Sequence, residues 1–296
     1  MLSVSEPKIV KSPSYWAVAC RKFVKNNLAM SGLIFIVLLV LISVFAPVIA
    51  TQDITRVQFD RINLKPSSEH WLGTDGNGRD VLTRLIHGGR ASLTIGFSCV
   101  VLVTVIGTII GAAAGYFGGK PDDLLMRFTD FIILFPFLPF VIVVNAIFIG
   151  KISGVTSLIL VIGALSWGGT ARIVRSKVLA EKENEYVLAA VSIGTKPWNT
   201  IARHILPNVL SAIIVQATLL LASFIVVESA LSAIGFGVPQ NVPTWGNMLS
   251  EARAADVLRN KPWQWMPPAV MVTLTVLAIN FVGEGLKDAF NPKSAR

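Results

Sequence analysis

Side chains able to do chemistry are few in this chain, and their spacing does not suit catalysis. The three histidines, His70, His87 and His204, are scattered. None stands in an HExxH or a paired CxxC/H pattern, which would bring two metal ligands to one face or one knuckle. Cys20 and Cys99 lie in the N-terminal segment and in a long apolar run, and read as two small packed thiols rather than a disulfide framework. No nucleophile is spaced with a base, and no carboxylate pair has a catalytic context. Gly73–Asp80, GTDGNGRD, has the glycine content of a phosphate loop. It lacks the GK[ST] ending and no strand precedes it. It reads instead as a surface turn capping a helix that begins near Asp80. That helix puts Val81, Leu82, Leu85 and Ile86 on one side and Arg84 and His87 on the other, a pattern suited to a membrane interface.

The elements that must carry these residues are apolar. The 296 residues are 53% hydrophobic and 15% charged, with a mean hydropathy of +0.65. Soluble domains run to about a quarter charged, so lipid is the expected solvent. Leu28–Ala50, Ala91–Gly119, Phe131–Gly150, Ile152–Ala171, Ile205–Val227 and Pro262–Gly283 contain no Asp, Glu, Lys or Arg. Each is long enough to cross the hydrocarbon core, which takes roughly 20 residues of helix. Their continuity excludes the roughly 10-residue alternating strands of a membrane barrel. The first run is too long, and starts too late, for a cleaved signal peptide.

The net charge of +9 and pI near 9.8 come from basic residues in the connecting segments. That placement is a topology signal rather than a nucleic-acid groove. It favours both termini inside. The division of the chain that follows is an N-terminal tail 1–27, a first span 28–50, an outer loop with an interfacial helix 51–90, a five-helix core 91–285 and a tail 286–296. Within the core lie an inner loop, 172–207, and a second outer loop, 235–261, which holds Trp245; Trp263 and Trp265 follow it, where an aromatic belt would sit. The expected fold is an all-α membrane protein of six transmembrane helices, N-in and C-in.

Gly107, Gly111 and Gly115, with Gly96 eleven residues before, mark one face of the second span for close helix packing. Ser211, Thr218, Ala222 and Ser229 mark the fifth span, for packing or for lining a pore. Pro136 and Pro139 free backbone carbonyls inside the third span and predict a kink. Glu228 ends the fifth span. An ionisable group at membrane depth is a functional candidate, yet a helix starting near Pro207 rises roughly 30 Å by Glu228. That places it at the outer rim, touching water. Gln216 is deeper and on another face.

Glu185–Pro207, EYVLAAVSIGTKPWNTIARHILP, is a polar and basic hairpin between long apolar runs. It predicts a short helix, a break at Gly194, and a second helix stopping at Pro207. A solvated loop explains its charge but not its small residues or the spacing from Gly194 to Leu206-Pro207.

That spacing resembles the EAA loop of permease subunits in ATP-driven, binding-protein-dependent importers: Glu-Ala-Ala, three residues, Gly, nine residues, Ile-x-Leu-Pro. Here Leu188 stands for the Glu and His204 for the Ile, while Ala189, Ala190, Gly194, Leu206 and Pro207 match. His70–Leu93, Gly115–Asp130, Val242–Arg253 and Ile279–Pro292 are similar to stretches of the second permease subunit of the oligopeptide, dipeptide and nickel branch. The resemblance implies a channel built with a sister permease and served by two cytoplasmic ATPase subunits and an extracytoplasmic peptide-binding protein. The setting is the bacterial cytoplasmic membrane. ATP and Mg would belong to the ATPases, with no cofactor, metal, nucleic acid or catalytic site in this chain. Glu185, Leu188, Ala189, Ala190, Gly194, His204, Leu206 and Pro207 would couple to the ATPase. Gln216, Thr218 and Glu228 are candidates for the translocation path. Oligopeptides or dipeptides are the expected cargo, a nickel complex the alternative. An ion-coupled carrier would need charged residues inside the apolar runs, and these contain none.

Overall fold

Helices carry the regular structure, because lipid offers the backbone no hydrogen-bond partners and a helix satisfies its own. The computed structural model describes residues 15–50, 52–54, 56–148 and 151–291. Gly150 and Pro292, named above as segment ends, residue 51, and the basic residues Lys8, Lys11, Lys293 and Arg296 of the two tails lie outside the described residues. In chain order the helices are α1 (Tyr15–Lys25), α2 (Asn27–Val44), α3 (Ala46–Ile49), α4 (Val81–Phe117), α5 (Gly119–Leu134), α6 (Phe137–Phe148) and α7 (Gly154–Lys182). They continue as α8 (Glu185–Ser192), α9 (Pro197–Asn199), α10 (Leu206–Ala233), α11 (Trp245–Leu249), α12 (Ala255–Asn260) and α13 (Pro262–Phe290).

Five helical runs are long and apolar enough to cross a membrane: α2, α4, α7, the run Pro197–Ala233 that includes α10, and α13. The expected third span is not one straight helix. It is the pair α5 and α6, bent by 83°. Phe135 is extended (φ −62°, ψ 134°), as the residue before a proline must tend to be, so Pro136 breaks the helix where only a kink was expected. Pro139 sits inside α6 without ending it.

The small-residue stripe of α4 is the tightest contact in the bundle. A Cβ on Gly107 would stand 2.7 Å from Thr170 Cβ, one on Gly111 2.3 Å from the Ala171 carbonyl oxygen, and one on Gly115 2.9 Å from the Arg175 carbonyl oxygen. All three therefore face α7. Gly96 does not: its Cβ would meet Ile225 at 3.0 Å, on α10. One face of α4 thus meets two partners along its length. The glycine-rich end stays helical to Phe117 rather than leaving the bundle early.

Two antiparallel pairings set the ends. α2 lies on α13, with the Cβ position of Gly32 2.6 Å from the Ala278 carbonyl oxygen and that of Gly285 2.3 Å from Ala29 Cβ. Trp16 packs edge-on against Phe290 at 5.4 Å between ring centroids, so α1 and the end of α13 share one end of the bundle. At the start of α7, a Cβ on Gly154 would stand 2.2 Å from Pro239. Asn145 of α6 donates to the Phe236 and Gly237 carbonyls at 2.9 and 3.1 Å, at the other end. The fourth expected span also runs on, with α7 helical to Lys182. Arg175 makes a two-pronged pair with Asp122 at 2.6 Å on both arms, and Arg172 pairs with Asp130 at 2.5 Å. These arginines tie α7 to α5 rather than leading out of a span.

Replacing Gly111 by Leu is expected to push α4 and α7 apart at a cost of about 1–3 kcal/mol. The purified protein should then unfold at lower temperature in detergent. Gly169→Ala, where nothing lies within 4 Å of a new Cβ, should leave the melting temperature unchanged.

Candidate functional site

Two regions at opposite ends of α4 and α10 carry the polar side chains that the motifs single out. The first is the hairpin. α8 ends in a double-bonded cap: Thr195 N–H donates to the Ala190 carbonyl at 3.1 Å and Gly194 N–H to the Val191 carbonyl at 2.9 Å. This closure needs a left-handed residue after the helix, and Gly194 supplies it at φ +81°. Val187 is buried against Val174, Val178, Ile201 and Ile205, and Ala190 is buried as well. The opposite face is open. Leu188 is 50% exposed, Val191 47% and Ile193 84%. Of the two matching alanines, Ala189 faces out and Ala190 faces the bundle.

The second arm does not stop at Pro207 as expected. Thr200–Ile205 form a π turn that runs directly into α10, with Leu206 N–H donating to the Ile201 carbonyl. Pro207 lacks the N–H an interior position needs, and the wider turn just before it accommodates that loss. His204 is half-buried, and its carbonyl accepts from Asn208 Nδ2 at 2.9 Å. Tyr186 joins three elements: its hydroxyl donates to Glu181 of α7 and accepts from Asn208 Nδ2 of α10 at 2.8 Å. Partial burial, and then the Glu181 carboxylate, push the Tyr186 phenol above its ordinary range, so it remains a hydroxyl. Glu185 stands exposed in the first turn of α8, where a negative charge suits the helix dipole.

The second region is a clamp in which the loop before α4 meets the loop between α10 and α13. Asp80 caps α4 by accepting from Thr83 N–H at 2.7 Å, as the sequence suggests. The loop before it is not a surface turn, because Thr74, Asp75 and His70 are buried. Nor does α4 begin as a separate interfacial helix: it is continuous through residue 90, and Arg84 is 2% exposed rather than facing solvent. Charge pairing explains that burial. Asp75 pairs with Arg84 and, at 2.8 Å, with Arg79. Glu251, brought from the other loop, pairs with Arg84 at 2.8 Å. Burial, and then Asp75, push the Glu251 carboxyl above the usual carboxylate range, against the opposing pull of Arg84 and Arg79. A cavity of about 610 Å3 opens beside the cluster, lined by Asn77, Arg79, Gln240, Asn241, Glu251 and Gln264.

The segment Val242–Arg253 supplies the other half of the clamp. Thr244 caps α11 by accepting from Asn247 N–H at 3.0 Å. Trp245 is fully buried, donates from Nε1 to the Leu85 carbonyl at 3.1 Å, and lies on the bare backbone of Gly88 and Gly89. Asn247 Nδ2 lies 3.1, 3.1 and 2.9 Å from the carbonyls of Val238, Pro239 and Val242. Gln264 Nε2 donates to Asn63 Oδ1 at 2.8 Å and to the Thr74 carbonyl at 3.0 Å.

A family model described as binding-protein-dependent transport system inner membrane component matches residues 107–296. Residues 14–66 match the N-terminal TM domain of oligopeptide transport permease C. The chain belongs to this family of transport permeases. A putative peptide permease protein of Brucella suis biovar 1 is 40% identical over 278 residues, covering 94% of this chain and 91% of that protein. The oligopeptide transport system permease protein OppC of Bacillus subtilis is 38% identical over 283 residues, 96% and 91% of the two chains. The dipeptide transport system permease protein DppC of the same strain is 38% identical over 293 residues, 98% and 90%. The permease is thus a multi-pass component of the inner membrane, and its apolar helices lie in a bilayer.

The permease's candidate path residues do not come together. Glu228 is fully enclosed, not a rim residue touching water: Ser92 Oγ and Ser232 Oγ each donate to it at 2.9 Å. Ser92 Oγ also accepts from Trp245 N–H at 3.2 Å, so Glu228 anchors the outer clamp to α4 and α10. Thr218 is half-buried beside Gly283 of α13 and returns its hydroxyl to the Ile214 carbonyl at 2.9 Å. Gln216 is half-buried on another part of α10. Ala222 and Ser229 are buried in helix contacts. Sequence reasoning missed Arg84, Glu251, Ser92 and Asn247, whose partners are mostly distant in the chain. The alternation of buried and exposed positions in α8 would have separated Ala190 from Leu188, had both not been apolar.

Two outcomes follow for the clamp. Arg84→Met leaves Asp75 and Glu251 buried with less compensation, a loss of about 3 kcal/mol, read as a lower melting temperature of the purified permease. Glu251 has a raised folded-state pKa, so its stabilising contribution is complete below about pH 4.3, the ordinary glutamate value, and is lost as pH rises through the raised value. The melting temperature of wild type minus that of Glu251→Gln should therefore fall as pH rises across that window.

Proposed function

We propose that this chain is the second-type permease subunit of an ATP-driven importer for oligopeptides or dipeptides, working with a sister permease, two cytoplasmic ATPase subunits and an extracytoplasmic binding protein. The observation that carries this reading is the rigid, apolar-faced hairpin held at the far end of the bundle from the clamp. The cargo class is supported by the relatives of similar length, which are described as oligopeptide and dipeptide permeases. Six crossings follow if the bent α5–α6 pair counts as one. α4 ends beside the hairpin, with Phe117 5.8 Å from the Trp198 ring, and α7 starts beside Pro239 at the other end, so the chain between them traverses the bundle. With six crossings, both termini and the hairpin share one side. The distribution of Lys and Arg makes that side the cytoplasm.

In this reading ATP and Mg are held by the ATPases, and Leu188, Val191 and Ile193 give them an apolar grip. Motion at the hairpin reaches the bundle by two routes. Val187 presses on the ends of α7 and α10, and Tyr186 links Glu181 to Asn208. A gate driven from outside the membrane needs such a stiff link between two states that the motor distinguishes. Binding-protein docking is assigned to the clamp at the outer end.

The test uses Ile193→Asp and Leu188→Asp, which change exposed side chains and should leave membrane insertion intact. Peptide-stimulated ATP hydrolysis and uptake of a labelled dipeptide by the reconstituted complex should fall at least about tenfold, as loss of a docking hot spot of 1.4 kcal/mol or more implies. Undiminished coupling in both variants would reduce the hairpin to an ordinary loop. Uptake of nickel with no uptake of peptide would overturn the cargo.

A further inference from the structure

α2 and α4 leave an apolar groove of about 500 Å3 between them, floored by α10 and α13. Arg90, Thr94 and Phe97 form one stripe of α4 at helical spacing, and Val40 and Val44 form the facing stripe of α2. The groove extends from the level of Arg90 to that of Ser98, about 12 Å along the helix. Its mouth carries a cation: Arg90 is exposed and makes no ion pair among the described residues. Its floor carries an unmet polar group, because Thr275 is fully buried, lines the groove, and its hydroxyl has no hydrogen-bond partner. A second, smaller hollow beside His87 and Pro243 shares Arg90 with the first.

We infer that this groove is a binding site for an anionic phospholipid, with one acyl chain laid between α2 and α4 and the phosphate held by Arg90. Charge and depth both select this occupant. Arg90 stands one residue before the uncharged run Ala91–Gly119, the level at which the headgroups of a bilayer begin, and an exposed guanidinium there can take a phosphate with paired, charge-assisted hydrogen bonds. The apolar walls give no hydrophobic advantage over bulk lipid, since lipid tails are as apolar as leucine. Selectivity therefore comes from the charge at the mouth, and shape comes from the groove. The site lies on the outer flank of the bundle and is separate from the hairpin and from the ion cluster of the clamp.

The experiment is native mass spectrometry of the complete purified complex, delipidated and then titrated with phosphatidylglycerol or phosphatidylcholine. Phosphatidylglycerol should be retained about fivefold more strongly, the discrimination expected of one interfacial basic residue. Arg90→Gln should abolish that preference, Arg90→Lys should restore most of it, and Val40→Trp, which fills the groove, should remove retention of both lipids. Photocrosslinking from Phe97 should yield a lipid adduct. Equal retention of the two lipids, retention unaffected by Arg90→Gln and Val40→Trp, or a crosslink to another polypeptide in place of lipid would each overturn the assignment. Loss of peptide uptake with lipid retention intact would bear on the importer reading and not on this site.

Discussion

The approach of α4 to α7, backbone nearly on backbone, is the constraint on which the rest of this structure depends. Inside a bilayer there is no water to drive helices together, so association rests on dispersion and on polar bonds between spans. Three glycines at four-residue spacing let α4 and α7 come within contact distance over several turns. Everything at either end inherits its position from that seam. The hairpin core of Val187, Ile201 and Ile205 is seated on Ala112, Val174 and Val178, at one end of it. Toward the other end, the start of α4 carries Arg84, Gly88, Gly89 and Ser92 to the clamp.

The clamp shows a different economy of interactions. Its charges are buried in a neutral set, Asp75 and Glu251 against Arg79 and Arg84, so that no ion is left uncompensated in a dry place. Around this set, Asn247 and Gln264 occupy carbonyls of loop backbone that has no regular ladder to satisfy it. Two outer loops, distant in the chain, thereby become one rigid body. Glu228 fastens that body to the membrane helices through Ser92 and Ser232.

The sequence made the apolar runs, the glycine seam, the cap at Asp80 and the turn at Gly194 legible, since each is written in spacing over a few residues. It did not show that Arg84 is buried, because Glu251 lies far along the chain and only folding brings it near. For the same reason the seat of Trp245 was not legible: Gly88 and Gly89, which receive it, carry no side chain to advertise a partner. The break at Pro136 was visible, its size was not. A proline fixes where a helix is interrupted, while the angle is set by packing on both sides. Within α8, apolar residues on both faces hid which side meets the bundle, and exposure alone separates Leu188 and Ile193 from Val187 and Ala190.

The unbroken course of α4 has a geometric consequence. At 37 residues it is a rod of roughly 55 Å, nearly twice the hydrocarbon thickness, and it contains no proline at which to flex. A rod of that length cannot absorb a disturbance locally. Swinging it by about 10° about its inner tip carries the outer tip through about 10 Å, with Arg84 and the Trp245 seat as passengers. Small angular changes deep in the bilayer would be read at the surface as large excursions.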